Sequence, residues 1–203
     1  MEEEGVIKFQ LHWQASGPAL PETFRELEHW RKRLRAIGGI GADPRRYGGI
    51  GFGNLSRRCA EGFWISGTQT GELQHLGREH YSLVERWDIA ANTVWARGPV
   101  APSSESMSHA ALYDTRPDIH WVFHVHIPEL WRRAAAQDLP RTPAGVEYGT
   151  PEMALAVRDL ASNAPLPLVL CMTGHEDGIL AAGQNANSCG EALLRAIARA
   201  PAS

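Results

Sequence analysis

The sequence predicts an α/β protein, a three-layer α/β/α sandwich around a mixed, largely antiparallel central sheet. Three observations lead there. Segments that alternate apolar and polar residues, or form short apolar runs, are interspersed with segments whose apolar residues recur at helical spacing. Several strand-like segments follow one another across turns, so the regular strand–helix alternation of an all-parallel sheet is missing. The 203 residues suffice for one large domain, so residues 1–203 are expected to form a single unit.

The elements follow in chain order. VIKFQLHWQ, from Val6 to Gln14, sets Ile7, Phe9, Leu11 and Trp13 on one face of a half-buried edge strand. From Pro21, PETFRELEHWRKRLRAIGG places Phe24, Leu27, Trp30, Leu34 and Ile37 on a helical stripe, with Pro21 opening the helix and Gly38-Gly39 closing it. The basic run RKRLR at 31–35 then reads as a solvated helix face. A glycine-rich turn, YGGIGFGNLSRR, leads into a strand at 62–67, and HYSLVERWD and NTVWARG read as two more strands. Ser103-Ser104-Glu105 opens a helix with hydroxyl caps and a first-turn acid facing the helix dipole. IHWVFHVHIPELW, at 119–131, supplies the next strand. Thr150 caps and Pro151 opens the helix PEMALAVRDLAS. PLVLCM and GILAAG are short apolar strands, a last helix runs from about Asn187 to Arg199, and 137–149 is the most loop-like stretch.

Composition excludes some functions. Lys plus Arg is 20 against 23 Asp plus Glu, a net charge of -3, which gives no ground for nucleic acid or an anionic membrane as partner. No apolar run approaches the ~20 residues of a membrane span. The acidic start MEEEG lacks a signal peptide's basic region, so a soluble cytoplasmic protein is expected. Cys59, Cys171 and Cys189 are odd in number and contain no CxxC, so they suggest neither a disulfide framework nor a thiolate zinc site.

The segment at 119–131 carries His120, His124 and His126 in an otherwise apolar run. Residues two apart on a strand share a face, so His124 and His126 present adjacent imidazoles, a common way to place two nitrogens on one metal. His120 shares that face but lies ~13 Å along the strand from His124, too far to share an ion. Two readings are open for the pair: a metal site, or core histidines bonded to backbone. His175, in TGHEDG directly after an apolar strand, is the candidate third ligand, and Glu105 a candidate ligand or general base. Singly, the first is an ordinary loop histidine and the second a helix-start acid. Asn54, Ser66-Gly67 and Ser103-Ser104 combine glycine turns, hydroxyls, an amide and a helix start, the ingredients of a phosphate cradle and equally of ordinary turns and caps.

Taken in order, GNLSRR (53–58), FWISG (63–67), PSSE (102–105), LYDTRPDI (112–119), HVH (124–126), YGTPEMA (148–154) and TGHEDG (173–178) resemble the class II aldolase/adducin family over roughly residues 20–200. The resemblance implies an α/β/α fold and a homotetramer with its active site at a subunit interface. It implies that His124, His126 and His175 hold a divalent metal, usually zinc, with Glu105 as acid/base. Asn54, Ser66, Gly67, Ser103 and Ser104 would bind the substrate phosphate. The implied activity is that of a lyase cleaving or forming a C–C bond in a small phosphorylated sugar. The same site serves epimerases and dehydratases of ketose phosphates in this family, and adducin keeps the fold as a non-enzymatic interaction domain.

The chain departs from the pattern in places. Glu176 and Asp177 separate His175 from its glycine and are candidates to support the metal ligands from behind. The stretch 127–147 is short and holds no tyrosine, where sugar-phosphate aldolases carry a proton-donating one; Tyr148 is a weak substitute. An N-terminal strand around Phe9 is added. His109, one helical turn after Glu105, is a candidate neighbour of the site.

Overall fold

Six antiparallel pairings and one parallel pairing join eight strands in a computed structural model that describes residues 5–18 and 24–199. The strands are β1 (Gln10–Ala15), β2 (Asn54–Cys59), β3 (Gly62–Ser66), β4 (Tyr81–Asp88), β5 (Thr93–Gly98), β6 (Trp121–His126), β7 (Leu168–Cys171) and β8 (Gly178–Gly183). The helices are α1 (Arg25–Ala36), α2 (Ser106–Thr115), α3 (Pro128–Arg133), α4 (Pro151–Ala161) and α5 (Ala186–Ala198). Across the sheet the order is β1-β5-β4-β3-β2-β6-β8-β7, with only β1 and β5 parallel. This is the expected mixed, largely antiparallel sheet.

Each face of the sheet carries a helical layer. Leu27, Trp30 and Leu34 of α1 and Leu193 of α5 pack with Phe123 and Val125 of β6 on one side. Met107 and Leu112 of α2 and Met153 and Val157 of α4 pack with Ile65, Val84 and Val122 on the other. β6 therefore divides its side chains by parity: Trp121, Phe123 and Val125 enter the first core, and Val122 the second. His124 and His126 share the side of Val122, at the end of the strand.

Several elements differ from the sequence reading. β1 begins at Gln10, and only the start of its apolar face is covered: Phe9 is buried, whereas Trp13 is 40% exposed and donates Nε1–H to the Gly98 carbonyl. GNLSRR, read as turn, is the central strand β2. Gly53 ends the turn in the left-handed region (φ 77°), and from Asn54 the chain pairs with β6 and, from Ser56, also with β3. That pairing outweighs its polar composition. PELWRR forms the short helix α3, with Pro128 at its first position. The RKRLR run is not wholly solvated: Arg31 is buried and donates to the Thr70 and Leu73 carbonyls at 2.9 and 2.7 Å. Pro21 lies outside the described residues. Thr150 does cap α4, accepting from the Met153 N–H at 3.3 Å.

Two motif arginines hold the layers together. Arg58 of β2 donates to the carbonyls of Ile119 and Arg116 at 2.7 and 2.9 Å. Arg116 grips Asp118 through two bonds of 2.8 and 2.7 Å and donates to the Ala164 carbonyl beyond α4. Among the described residues no helix is long and apolar enough to cross a membrane.

Close approach of α5 to α1 depends on a missing side chain. A Cβ on Gly190 would lie 2.1 Å from the Trp30 ring. Gly190→Ala is therefore expected to displace Trp30 and lower stability by about 1–3 kcal/mol, read as a fall in the urea midpoint at unchanged slope.

Candidate metal centre

At the end of β6 the two histidines face each other, with Nε2 atoms 3.0 Å apart and rings at 75°. His175 completes the group: its ring lies 5.0 Å from that of His124 and 4.8 Å from that of His126. One nitrogen from each of the three falls within 4.8 Å of the others, and all three side chains are buried. Burial first, and then His175, depress the pKa values of His124 and His126 well below 6.5. Both rings are therefore neutral, with lone pairs available for coordination. Three buried imidazoles converging on one another are a donor set compatible with a divalent cation. His120 lies outside the group, exposed and just before β6.

The sequence TGHEDG brings His175 back to the sheet by two successive turns. His175 N–H bonds the Met172 carbonyl and Gly178 N–H bonds the His175 carbonyl, both at 2.9 Å. Gly174 is needed because a Cβ there would fall 1.8 Å from the Val146 carbonyl oxygen. The two acids after His175 part company: Glu176 is exposed, whereas Asp177 is buried.

Glu105 is not the first-turn acid that sequence reasoning expected. It occupies the position before α2, where Ser103 Oγ accepts its N–H at 3.2 Å, and its carboxylate is 1% exposed. Its Oε1 lies 3.5 Å from His175 Nδ1, and its Oε2 accepts from Ser108 Oγ at 2.9 Å. A buried carboxylate at this distance can orient His175 or exchange a proton beside the three rings.

The residues expected to cradle phosphate are gathered only in part. Asn54, Gly67, Ser103 and Ser104 line one cavity, together with Gly5. Its volume is about 10 Å³, roughly the room one water requires. The Gly67 N–H is already donated to the His80 carbonyl at 2.9 Å. Ser66 Oγ is turned away to accept from the Leu55 N–H at 3.2 Å. Among the described residues, nothing donates to Asn54 Oδ1, although it is buried.

Sequence reasoning missed Tyr47. Its ring stands edge-on to His126 with centroids 4.9 Å apart, and its hydroxyl donates to Asp177 Oδ2 at 2.5 Å. Burial, and next the Asp177 carboxylate, raise its pKa above the ordinary phenol value. The detectable signal was a bulky residue inside a glycine-rich turn. Tyr148, in sequence only a weak substitute for the family's proton-donating tyrosine, stacks on His175 at 4.5 Å. His109 lies behind the centre with Nδ1 2.6 Å from Ser56 Oγ, which in turn is 2.7 Å from the Tyr113 hydroxyl.

Comparison with known proteins gives the chain a family and a fold. The family described as Class II Aldolase and Adducin N-terminal domain matches residues 43–200. No curated protein sequence matches the chain significantly. Among solved structures, L-fuculose-1-phosphate aldolase from Thermus thermophilus is 21% identical with a TM-score of 0.61, covering 87% of this chain and 86% of that one. A second L-fuculose 1-phosphate aldolase is 22% identical with a TM-score of 0.65, covering 89% and 85%. A sugar-phosphate aldolase from Thermotoga maritima is 15% identical with a TM-score of 0.59, covering 90% and 97%. At these identities the likeness is one of fold.

Burial gives His109 a testable pH signature. Its pKa is about 3 in the folded chain against 6.5 for the free side chain. Above pH 6.5 neither state takes up the proton, so the group adds no pH dependence. From 6.5 down to about 3 only the unfolded chain binds it, so stability falls by up to ~1.4 kcal/mol per pH unit. Relative to its own stability at neutral pH, His109→Asn should lose less than wild type on acidification, as read from denaturant midpoints across this window.

Proposed function

Because the chain belongs to the class II aldolase and adducin family, we propose that it is a divalent-metal-dependent lyase that cleaves or forms a C–C bond in a small phosphorylated sugar. The observation that carries this reading is the convergence of His124, His126 and His175 with Glu105 beside them, all buried. The three imidazoles would hold the cation, with zinc the metal their donor type suits. When bound, it supplies Lewis acidity toward a sugar carbonyl and its neighbouring hydroxyl.

The remaining chemistry belongs to the protein's own side chains. Glu105 takes up and returns the proton at its carboxylate, with Ser108 fixing one oxygen so that the other faces the centre. Exclusion of water around these groups strengthens every charge interaction there. Asn54, Ser103 and Ser104 bind the phosphate through amide, hydroxyl and backbone groups, and Ser66 and Gly67 shape the wall behind them. Holding the far end of the substrate orients its reacting carbon. Phosphate entry requires the segment around Gly5 to yield, given the size of the cavity. The reading also takes in a homotetramer, as the family resemblance implies, and a cytoplasmic location.

The tyrosine-free stretch between Tyr113 and Tyr148 favours a second reading, an epimerase or dehydratase acting on a ketose phosphate at the same site. An adducin-like interaction domain is disfavoured, since a scaffold has no use for three buried imidazoles and a carboxylate in one pocket. Elemental analysis is expected to find about one divalent ion per wild-type chain and none in His124→Ala/His126→Ala. Equal metal in both would remove the ligand assignment. Glu105→Gln should keep the metal and lose roughly 10²–10⁴-fold in kcat. Incubation with a panel of ketose phosphates, followed by mass, separates cleavage into two fragments from unchanged mass and from loss of one water.

A further inference from the structure

Tyr47, Gly48 and Gly49 have successive φ values of 48°, 66° and 83°, so a bulky side chain sits in the left-handed region at the head of a glycine turn. Such a conformation persists only where its surroundings over-determine it. Around Tyr47 they do. Its ring is held edge-on by His126 and by Phe52, the latter at 5.3 Å and 81°. Its hydroxyl donates to Asp177 Oδ2 and accepts from Arg46 Nη2 at 2.8 Å. Arg46 Nη2 also donates to the backbone carbonyl of His126 at 3.2 Å, lies 3.6 Å from Asp177 Oδ2, and its guanidinium stacks on Phe52 at 4.4 Å. Asp177, itself at φ 62°, accepts the Ile127 N–H on its backbone oxygen at 2.9 Å.

These contacts tie together three segments: the turn at 46–49, the end of β6, and the turn two residues beyond His175. We propose that Arg46, Tyr47 and Asp177 form a positioning clamp that holds His126 and His175 at metal-binding separation. His126 ends a strand and His175 rides on a turn, so their spacing is set by whatever fixes one segment against the other. The Gly178–His126 pairing of β8 with β6 holds the backbones together. The clamp adds restraint at both sides of that junction, through the ring face of His126, its carbonyl and Asp177. A partly buried ion pair is weak evidence for a stability role, and a strained tyrosine is costly to a turn that glycine would satisfy. Their joint placement against a ligand ring makes sense as preorganisation of the ligands.

This proposal rests on the reading that the three imidazoles bind a cation, and its test reads binding directly. Cobalt(II) would be titrated into metal-free wild type, Tyr47→Phe, Asp177→Asn and the double variant, following the visible ligand-field bands, with thermal melting of each metal-free protein in parallel. Tyr47→Phe keeps the ring and removes only the hydroxyl bonds. Each single variant is expected to bind cobalt about 10–100-fold more weakly with altered bands. The metal-free melting temperature should change little. The double variant should be no worse than the poorer single, because the groups act as one unit. Wild-type affinity and bands in both singles, whether or not melting falls, would overturn the clamp while leaving the metal centre intact. Wild type that binds no cobalt would overturn the metal centre itself and the clamp with it.

Discussion

Three imidazoles buried against one another are the constraint on which the rest of the site depends. Each ring carries a nitrogen that must find a partner or bear the cost of desolvation. Their own packing brings two Nε2 atoms to 3.0 Å, and burial keeps His124 and His126 uncharged. Such an assembly is compatible with the fold only because β6 lies deep in the sheet, flanked by β2 and β8, with helices on both faces. The arrangement that excludes water from the rings also excludes it from Glu105.

The motif residues divide into two kinds of work that a linear reading runs together. Arg58, Arg116 and Asp118 belong to the most recognisable stretches of the chain, yet they clamp backbone carbonyls and each other. Gly174 and Gly190 are required by close approach, of Val146 and of Trp30 respectively. His124, His126, His175 and Glu105 are the residues delivered to the centre. The scaffold residues govern how accurately those four are delivered, since β2, β6 and α2 meet at Arg58.

Surrounding the centre, the structure adds parts that family motifs do not name. Tyr148 lies flat on His175 while Tyr47 stands edge-on to His126, so two of the three rings have an aromatic neighbour fixing their tilt. Lys8, from the segment preceding β1, sits 4.0 Å over the ring of Tyr148. The same segment brings Gly5 to the wall of the small polar cavity. The N-terminal segment, which looks in sequence like one more edge strand, thus reaches both Tyr148 beside His175 and the wall of the cavity.

Local periodicity carried much of this into the sequence. The parity of β6 places His124 and His126 on one face and excludes His120 by distance. The helical stripe of α1, the cap of α4, and the apolar runs of β7 and β8 are all written in neighbouring residues, because propensity, capping and alternation act over a few positions. What needed the folded chain involves partners far apart. GNLSRR became a strand because it pairs with β6 some 70 residues away. Glu105 left the helix dipole for His175, 70 positions later. Tyr47 found Asp177, 130 positions on. No short-range pattern encodes such encounters. They are decided when the sheet closes and the side chains at the strand ends must share one volume.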